Sequence, residues 1–544
     1  MLNCKRGFFR RIKLTCFAAI LIGSPAFAQT SSLSSCPPRL PPLKIAMVTG
    51  GEQYSSHPAE TRFASTHYAR LVHLPLFGAD PTEENLDAAY GAAESWTYMP
   101  GAKGMVVKIR KGLTFNDGAS ITAEDVAFSI DLVKSKFADY QGSGLLNGIG
   151  VTAKALDLHT LQIDFKQSYA TFHIETSAAV FPVYVTSKAY HSNGEITQAA
   201  FDAFRSKPLA TGPYRVDSRQ TEKMITLVAE RRDPLLGCPV YEAIVFREVK
   251  ETSTRMAQFR TGQLDIISGN RDLLQQAKSA GASVLIKPHA NMVGLYFFQT
   301  DNPDNIFHDV RLRKAAAYAI DSKLIAEAIW NNVGVEPYGC SWPPSTEIAS
   351  ASQRFVAACA TPWPFDPEKA KALLREAGYD AMKGSMVRLE YSGGFPEEPA
   401  FAEAMQQMMT AVGFNVTVAL VPISERNRRR MSGEHLNSIL FFGSGGRLTS
   451  LAGSGSVYGP DQGWGPKHDP DVVRALQNAA TAETIDAYID ATADLAELVY
   501  HRAYGPGFFD AGSLWFVRKG IPDWGLSKSR GRGPLNLAAL ATKK

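Results

Sequence analysis

The sequence predicts an α/β protein of more than one lobe, and three observations lead there. Stretches with the composition of strands alternate with stretches of helical period along most of the chain. At 544 residues, 45% apolar and 20% charged, the chain can bury a large core. No period of about 20 to 50 residues repeats, and the 44 Gly and 31 Pro follow no collagen-like spacing, which excludes solenoids, propellers and fibres.

The elements follow in order. Residues 31–42 are rich in Ser and Pro and are expected to be extended and poorly ordered. Residues 43–48 (LKIAMV) read as a strand that gives way to a loop at Thr49-Gly50-Gly51. Residues 104–110 (GMVVKIR) form a second strand, followed by a turn at Asn116-Asp117-Gly118. Thr122 with Asp125 three residues later is a capping signal, placing Val126, Phe128, Ile130 and Val133 on a helix. Residues 242–248 and 294–298 are further strands, each followed by a helix. Helical period marks 367–377, 400–412 and 469–500, with a β-rich run at 415–421.

The first 28 residues read as a secretory signal, with Lys5, Arg6, Arg10, Arg11 and Lys13 before an apolar stretch at 14–22 and the small-residue site Ala26-Phe27-Ala28. Losing those five cations takes the 57 Lys plus Arg to 52 against 53 acids, so the formal +4 becomes −1. Such a balance favours neither nucleic acid nor an anionic membrane. The apolar stretch is too short for a spanning helix, and a soluble periplasmic protein is expected. Cys4 and Cys16 leave with the signal, and an even set remains: Cys36, Cys238, Cys340 and Cys359. The short spacing of Cys340 and Cys359 favours pairing them, which leaves Cys36 with Cys238. No CxxC or HxxxH cluster accompanies them, and no metal is expected. His57, His67 and His73 share no helical face.

Several segments converge on one family. The run KIRKGLTFNDGASITAEDVAFS at 108–129 closely resembles the signature of the peptide/nickel-type (family 5) extracytoplasmic substrate-binding proteins of bacterial ABC importers. Further matches come in the expected order: ESW at 94–96, TGPYR at 211–215, GQLD at 262–265, DVRLRKA at 309–315 with AID at 319–321, and DPEKA at 366–370 with EAGY at 376–379. Read physically, most of these residues are scaffold. Gly112 and Gly118 suit positive φ, Asp117 suits a backbone hydrogen bond in the turn, and Asp309 suits a helix start.

The resemblance implies the two-lobed periplasmic-binding-protein fold of the cluster C type, with an extra subdomain in a discontinuous first lobe. Lobe I is expected at 37–288 and 507–544 and lobe II at 289–506. It further implies a monomer without cofactor, which captures a small-molecule ligand by hinge closure and docks on an inner-membrane ABC permease.

Ligand contacts are expected from the first loop, at Glu52, Gln53 and Tyr54, and from the stretch SILFFGSGGRLT at 438–449, at Phe441, Phe442, Ser444 and Arg447. Peptide-binding relatives tend to carry a Trp and an Asp in that second stretch, the carboxylate holding a peptide ammonium. Here neither is present, while Arg447 offers a planar donor for carboxylate or phosphate. Trp342, Tyr458 and Trp464 are candidates for stacking on a ligand face. A polar solute, such as a sugar, an opine-like conjugate or a phosphorylated compound, is the first expectation. The alternative is a di- or oligopeptide whose ammonium is met by Glu52. The rival class, a secreted hydrolase, lacks a G-x-S-x-G elbow, an HExxH pair and a P-loop.

Overall fold

The computed structural model describes residues 33–48, 54–61, 65–81, 85–220, 223–340, 351–379, 385–391, 397–432, 434, 436–440, 466, 468–528, 535 and 537–543. The chain begins with β1 (Leu43–Met47), then enters a separate antiparallel sheet of β2 (Ala93–Tyr98), β3 (Gly104–Ile109), β4 (Thr152–Asp157) and β5 (Thr160–Asp164), ordered β2-β3-β5-β4. It returns through β6 (Tyr214–Gln220), β7 (Met224–Ala229), β8 (Cys238–Pro239), β9 (Ala243–Glu248), β10 (Ile266–Gly269) and β11 (Ser283–Gly294). Next come β12 (Tyr296–Phe297), β13 (Val335–Pro337), β14 (Val387–Tyr391), β15 (Val416–Leu420) and β16 (Ser438–Leu440), then β17 (Gly507–Val517) and β18 (Thr542–Lys543).

Two sheets organise the molecule. The larger is eight-stranded, ordered β11-β17-β10-β1-β9-β7-β6 with β13 also on β17; the smaller is ordered β12-β16-β14-β15. Strands β1, β9 and β10 run parallel, as do β14, β15 and β16. Each sheet has its own apolar core. Leu43, Ile45, Ile244, Phe246, Ile266 and Trp515 belong to the first, and Phe297, Leu389, Phe401, Met405 and Met409 to the second. The β2–β5 sheet has a third, in which Met105, Val107, Leu161 and Ile163 meet Val126, Ile130 and Val133 of the helix Ala123–Lys134. That helix starts where the sequence places it. Thr122 accepts from the Asp125 amide, and the Asp125 carboxylate accepts from the Thr122 amide at 2.9 Å. Gly112 and Gly118 take φ of 79° and 91°, and Asp117 accepts from the Ala119 amide at 3.0 Å. Asp309 caps the helix Val310–Tyr318.

Both expected disulfides are present, Cys36–Cys238 with Cα atoms 5.6 Å apart and Cys340–Cys359 with Cα atoms 5.0 Å apart. The first corrects the expectation of a poorly ordered leader. Besides the disulfide, the Leu40 amide donates to Val240 O and the Glu242 amide to Leu40 O, both at 2.8 Å, so residues 36–42 are tied to the large sheet. The helical run at 469–500 is two helices, Pro470–Ala480 and Ile485–His501. The Ala170 amide donates to Ala482 O at 3.2 Å, and the Thr484 side chain caps the second helix, so the link between them is held outside either. The strand expected at 294–298 is divided between two: β11 runs twelve residues and ends at Gly294, and β12 starts two residues later in the other sheet.

Buried histidines are concentrated in the N-terminal half. His57 stacks on Phe201 at 4.3 Å, accepts from the Ala59 amide on Nδ1 and meets His191 Nε2 with its own Nε2 at 3.1 Å. His191 Nδ1 faces Glu195 O at 3.1 Å. One arrangement of protons satisfies this chain: His57 donates from Nε2, His191 donates from Nδ1, and both rings are neutral. Burial holds His57 well below the usual histidine range and lowers His191; it brings His67 and His73 to about 3 and His173 to about 4. Because folded values lie below the unfolded one, near 6.5, the unfolded chain takes up the protons, and stability falls as pH drops below that value. The expected result is a melting temperature that declines steadily from pH 6.5 to 5. At pH 5, unfolding should take up about four protons, and each buried histidine should cost up to about 1.4 kcal/mol per pH unit. Thermal and calorimetric scans across that range check this, and flat stability between pH 7 and 5 would refute it.

Candidate functional site

The topology sets the carboxyl ends of both parallel sets against one crevice. Strand β11 pairs antiparallel with β17, and β17 with β10, so β11 runs in the direction of β10 and leaves the large sheet at its carboxyl edge. Past Leu295 it becomes β12, whose Tyr296 lies opposite Leu440, the carboxyl end of β16. β17 returns alongside, with Leu295 N donating to Pro506 O at 2.9 Å. In open α/β sheets such a crevice, outside the carboxyl ends of the strands, is where ligands bind.

The large sheet's edge is built for polar recognition. On one face an apolar residue of each strand is followed, two positions nearer the carboxyl edge, by a polar one: Phe246 then Glu248, Ile266 then Ser268, Leu285 then Lys287, and on the opposed strand Trp515 preceded by Ser513. Register brings them side by side, with Ser268 and Leu285 flanking Trp515, Lys287 opposite Ser513, and Glu248 opposite Met47. His67 lies over this row, its ring 6.2 Å from Trp515 and 6.3 Å from Phe246. Tyr54 sits with its ring 6.2 Å from that of Tyr68.

Burial decides the chemistry of these groups. Tyr54, His67, Lys287 and Trp515 are each at most 5% exposed. Burial and then the Lys287 charge keep His67 neutral, at about 3. Burial and then the Glu248 charge push the Tyr54 phenol up, so it stays protonated. The Tyr54 hydroxyl, the Ser268 and Ser513 hydroxyls and the Trp515 Nε1–H are sealed from solvent with no hydrogen-bond partner among the described residues. Sealed polar groups in folded proteins are normally satisfied, so four on one patch indicate capacity held for something else.

Of the residues expected from sequence, Tyr54 is placed in this patch. Glu52, Gln53, Trp342, Phe441, Phe442, Ser444, Arg447, Tyr458 and Trp464 lie outside the described residues. The sequence reading missed Glu248, Ser268, Lys287, Ser513, Trp515 and His67. A signal for four of them was present, namely a polar residue in phase with the apolar face of a strand. His57 and His73 lie apart from the patch, His57 against His191 and His73 with its ring 5.9 Å from Tyr184. Among the described residues no group of three or more His, Cys, Asp or Glu is placed to hold a metal ion.

The neighbouring tyrosines give a controlled test. The Tyr68 hydroxyl accepts from the Ser55 amide at 2.9 Å and donates to Ser55 O at 2.7 Å, whereas the Tyr54 hydroxyl has no such partner. Tyr54→Phe is expected to leave stability unchanged or slightly raised, and Tyr68→Phe to cost about 1–3 kcal/mol. Denaturant unfolding of the two variants checks this; an equal loss in both would show that the Tyr54 hydroxyl is structurally committed.

Comparison with known proteins agrees with this architecture. The sequence profile of the bacterial extracellular solute-binding proteins, family 5 (middle region), matches residues 88–446, more than half of the chain. The glutathione-binding protein GsiB of Escherichia coli K12 is 25% identical over 368 residues, which are 66% of this chain and 65% of GsiB, so the match spans about two thirds of that relative. The substrate-binding protein CtaP of Listeria monocytogenes has the same fold at a TM-score of 0.74 and 16% identity, covering 93% of this chain and 100% of CtaP. MoaA of A. tumefaciens R10, solved with mannopinic acid, superposes at a TM-score of 0.70 and 19% identity, covering 93% and 100%. These likenesses give the chain a two-lobed α/β fold, and the profile match gives its kinship: it belongs to the family 5 bacterial extracellular solute-binding proteins.

Proposed function

We propose that this chain is the periplasmic solute-capturing component of an ABC importer, and that its cargo is a small polar solute bearing a carboxylate. The observation that carries this reading is the sealed patch at the carboxyl edge of the large sheet. Trp515 Nε1–H can only donate, and the protonated Tyr54 hydroxyl and the two serine hydroxyls can each donate. Lys287 adds a cation beside Ser513. Grouped donors favour an acceptor-rich partner, and Lys287, the cation beside Ser513 in a row that also holds Glu248, favours an anionic one. The ligands in the names of two similar proteins, glutathione and mannopinic acid, are both carboxylic acids.

On this reading lobe I comprises 37–288 and 507–544, lobe II comprises 289–506, and residues 1–28 are removed on export. β11 and β17 are the connecting strands. Ligand entering the crevice touches both lobes and raises the closed population by its preference for that state. The closed form docks on an inner-membrane permease as a monomer, and no covalent step or cofactor is involved. Arg447 from lobe II is a second candidate partner for the anionic group.

Calorimetric titration of the mature protein with glutathione, mannopinic acid and a neutral disaccharide tests this. Stoichiometric heat is expected for at least one acid, with the ligand recovered unchanged, a higher melting temperature and a smaller radius of gyration. Lys287→Met should weaken that acid by about 1.5–3 kcal/mol. Binding of the neutral sugar alone, or equal affinity in the Lys287 variant, would overturn the carboxylate assignment; consumption of the ligand would overturn the transport reading.

A further inference from the structure

Glu397 and Arg271 meet across the crevice. Arg271 follows β10 at the carboxyl edge of the large sheet, and its neighbours Leu273 and Leu274 pack on that side. Glu397 precedes the helix Glu398–Val412, whose Phe401, Met405 and Met409 are part of the second core. Arg271 Nη1 donates to Glu397 Oε1 at 2.9 Å, with side chains only 6% and 10% exposed. The guanidinium has little freedom to turn elsewhere, because Nε donates to Val333 O at 3.1 Å and Nη2 to Gly512 O at 2.8 Å. Gly512 lies on β17, which pairs with β11 in the large sheet. Backbone carbonyls of the hinge region thus aim one cationic N–H at the other core.

We propose that the Arg271–Glu397 pair is an interlobe latch that sets how much of the ligand-free protein is closed. Exposed pairs such as Arg354–Glu497, with side chains 53% and 38% exposed, contribute little because water competes for both partners. A sealed pair behaves differently: with one partner removed, the other is left desolvated and unpaired while the crevice stays shut, and only opening re-solvates it. The pair therefore has two stable situations, joined in the closed form and hydrated in the open form, and it biases the equilibrium between them. The role is conformational and belongs to neither the donor patch nor the cargo. It rests on the two-lobed fold, so its test uses ligand-free protein, and failure of the carboxylate reading would leave it standing.

The test is small-angle scattering of ligand-free mature protein, with hydrogen exchange of β17 as a second readout. Glu397→Gln removes the charge at nearly constant shape. Glu397→Asp keeps the charge and withdraws the carboxylate by one methylene, so it serves where the first variant folds poorly. Each is expected to enlarge the radius of gyration and to speed exchange at Gly512, whose amide donates to Gly334 O at 2.7 Å. The open-to-closed ratio should rise roughly 5- to 150-fold, the range of coupling between two states. In an Arg271→Lys background the same Glu397→Gln change should have a smaller effect, since the two residues act as a pair. Unchanged scattering and exchange in both Glu397 variants would overturn the proposal, as would an equal effect with and without Arg271.

Discussion

The constraint on which the rest of the molecule depends is the long antiparallel ladder between β11 and β17. It starts inside the large sheet at Ser283 opposite Val517 and continues, across an irregularity between Lys287 and Asn291, to Gly294 opposite Gly507. Beyond that point both strands have left the sheet. Backbones crowd there, and the need for glycine is steric: a Cβ on Gly294 would stand 2.5 Å from Pro506 O, and one on Gly507 would fall on the Cys340 backbone. The Gly507 amide donates to Gly339 O at 2.8 Å, and Cys340 is fastened to Cys359. The connection between the two cores is thus made from two hydrogen-bonded strands held in register.

The same ladder explains the polar patch. Because β11, β17 and β10 lie side by side, Lys287, Ser513, Trp515 and Ser268 are neighbours even though the chain between Lys287 and Ser513 runs through the whole second core. Further from the edge, β10, β9 and β17 carry Ile266, Phe246 and Val517, which are sealed in the first core. A single face therefore changes within two residues from apolar packing to the unpartnered donors of Ser268, Ser513 and Trp515. Leaving those donors without partners costs the folded state stability, and such costs collect where a protein must meet something else.

How much of this could be read from the chain depends on the range of the cause. Local causes were legible: the Thr122–Asp125 capping box, Asp309 at its helix start, Gly112 and Gly118 at positive φ, and strands at β1, β3, β9 and β15. The disulfides were legible because export and spacing constrain four cysteines to few pairings. Long-range causes were not. The order of the leader near Leu40 depends on Val240 and Glu242, and the break between the two C-terminal helices depends on Ala170 holding Ala482. The patch was the least legible part. Glu248, Ser268, Lys287 and Ser513 each read as an ordinary polar residue of a strand, and only the sheet order makes them one site.

Charge at the crevice has a further physical consequence. A hinge that must open and close reversibly needs contacts whose loss water can compensate. Apolar surface brought together across the crevice would stabilise closure by about 25 cal/mol per Å² and recover nothing on opening, so a few hundred Å² would hold the lobes shut by several kcal/mol. A ligand that drives the closed form from 1% to 99% must prefer it by about 5.5 kcal/mol, which is comparable to what such a surface would contribute. Polar groups suit this balance better. Arg271 and Glu397 each regain hydration when separated, so the difference between joined and parted states is small although the geometry of the joined state is specific. Trp330 shows the contrasting design away from the crevice edge. It is 1% exposed and packs edge-on against both Phe401 and Phe509, with centroids 5.5 and 5.1 Å away, fastening the helix that follows Glu397 to β17 with contacts that need never part.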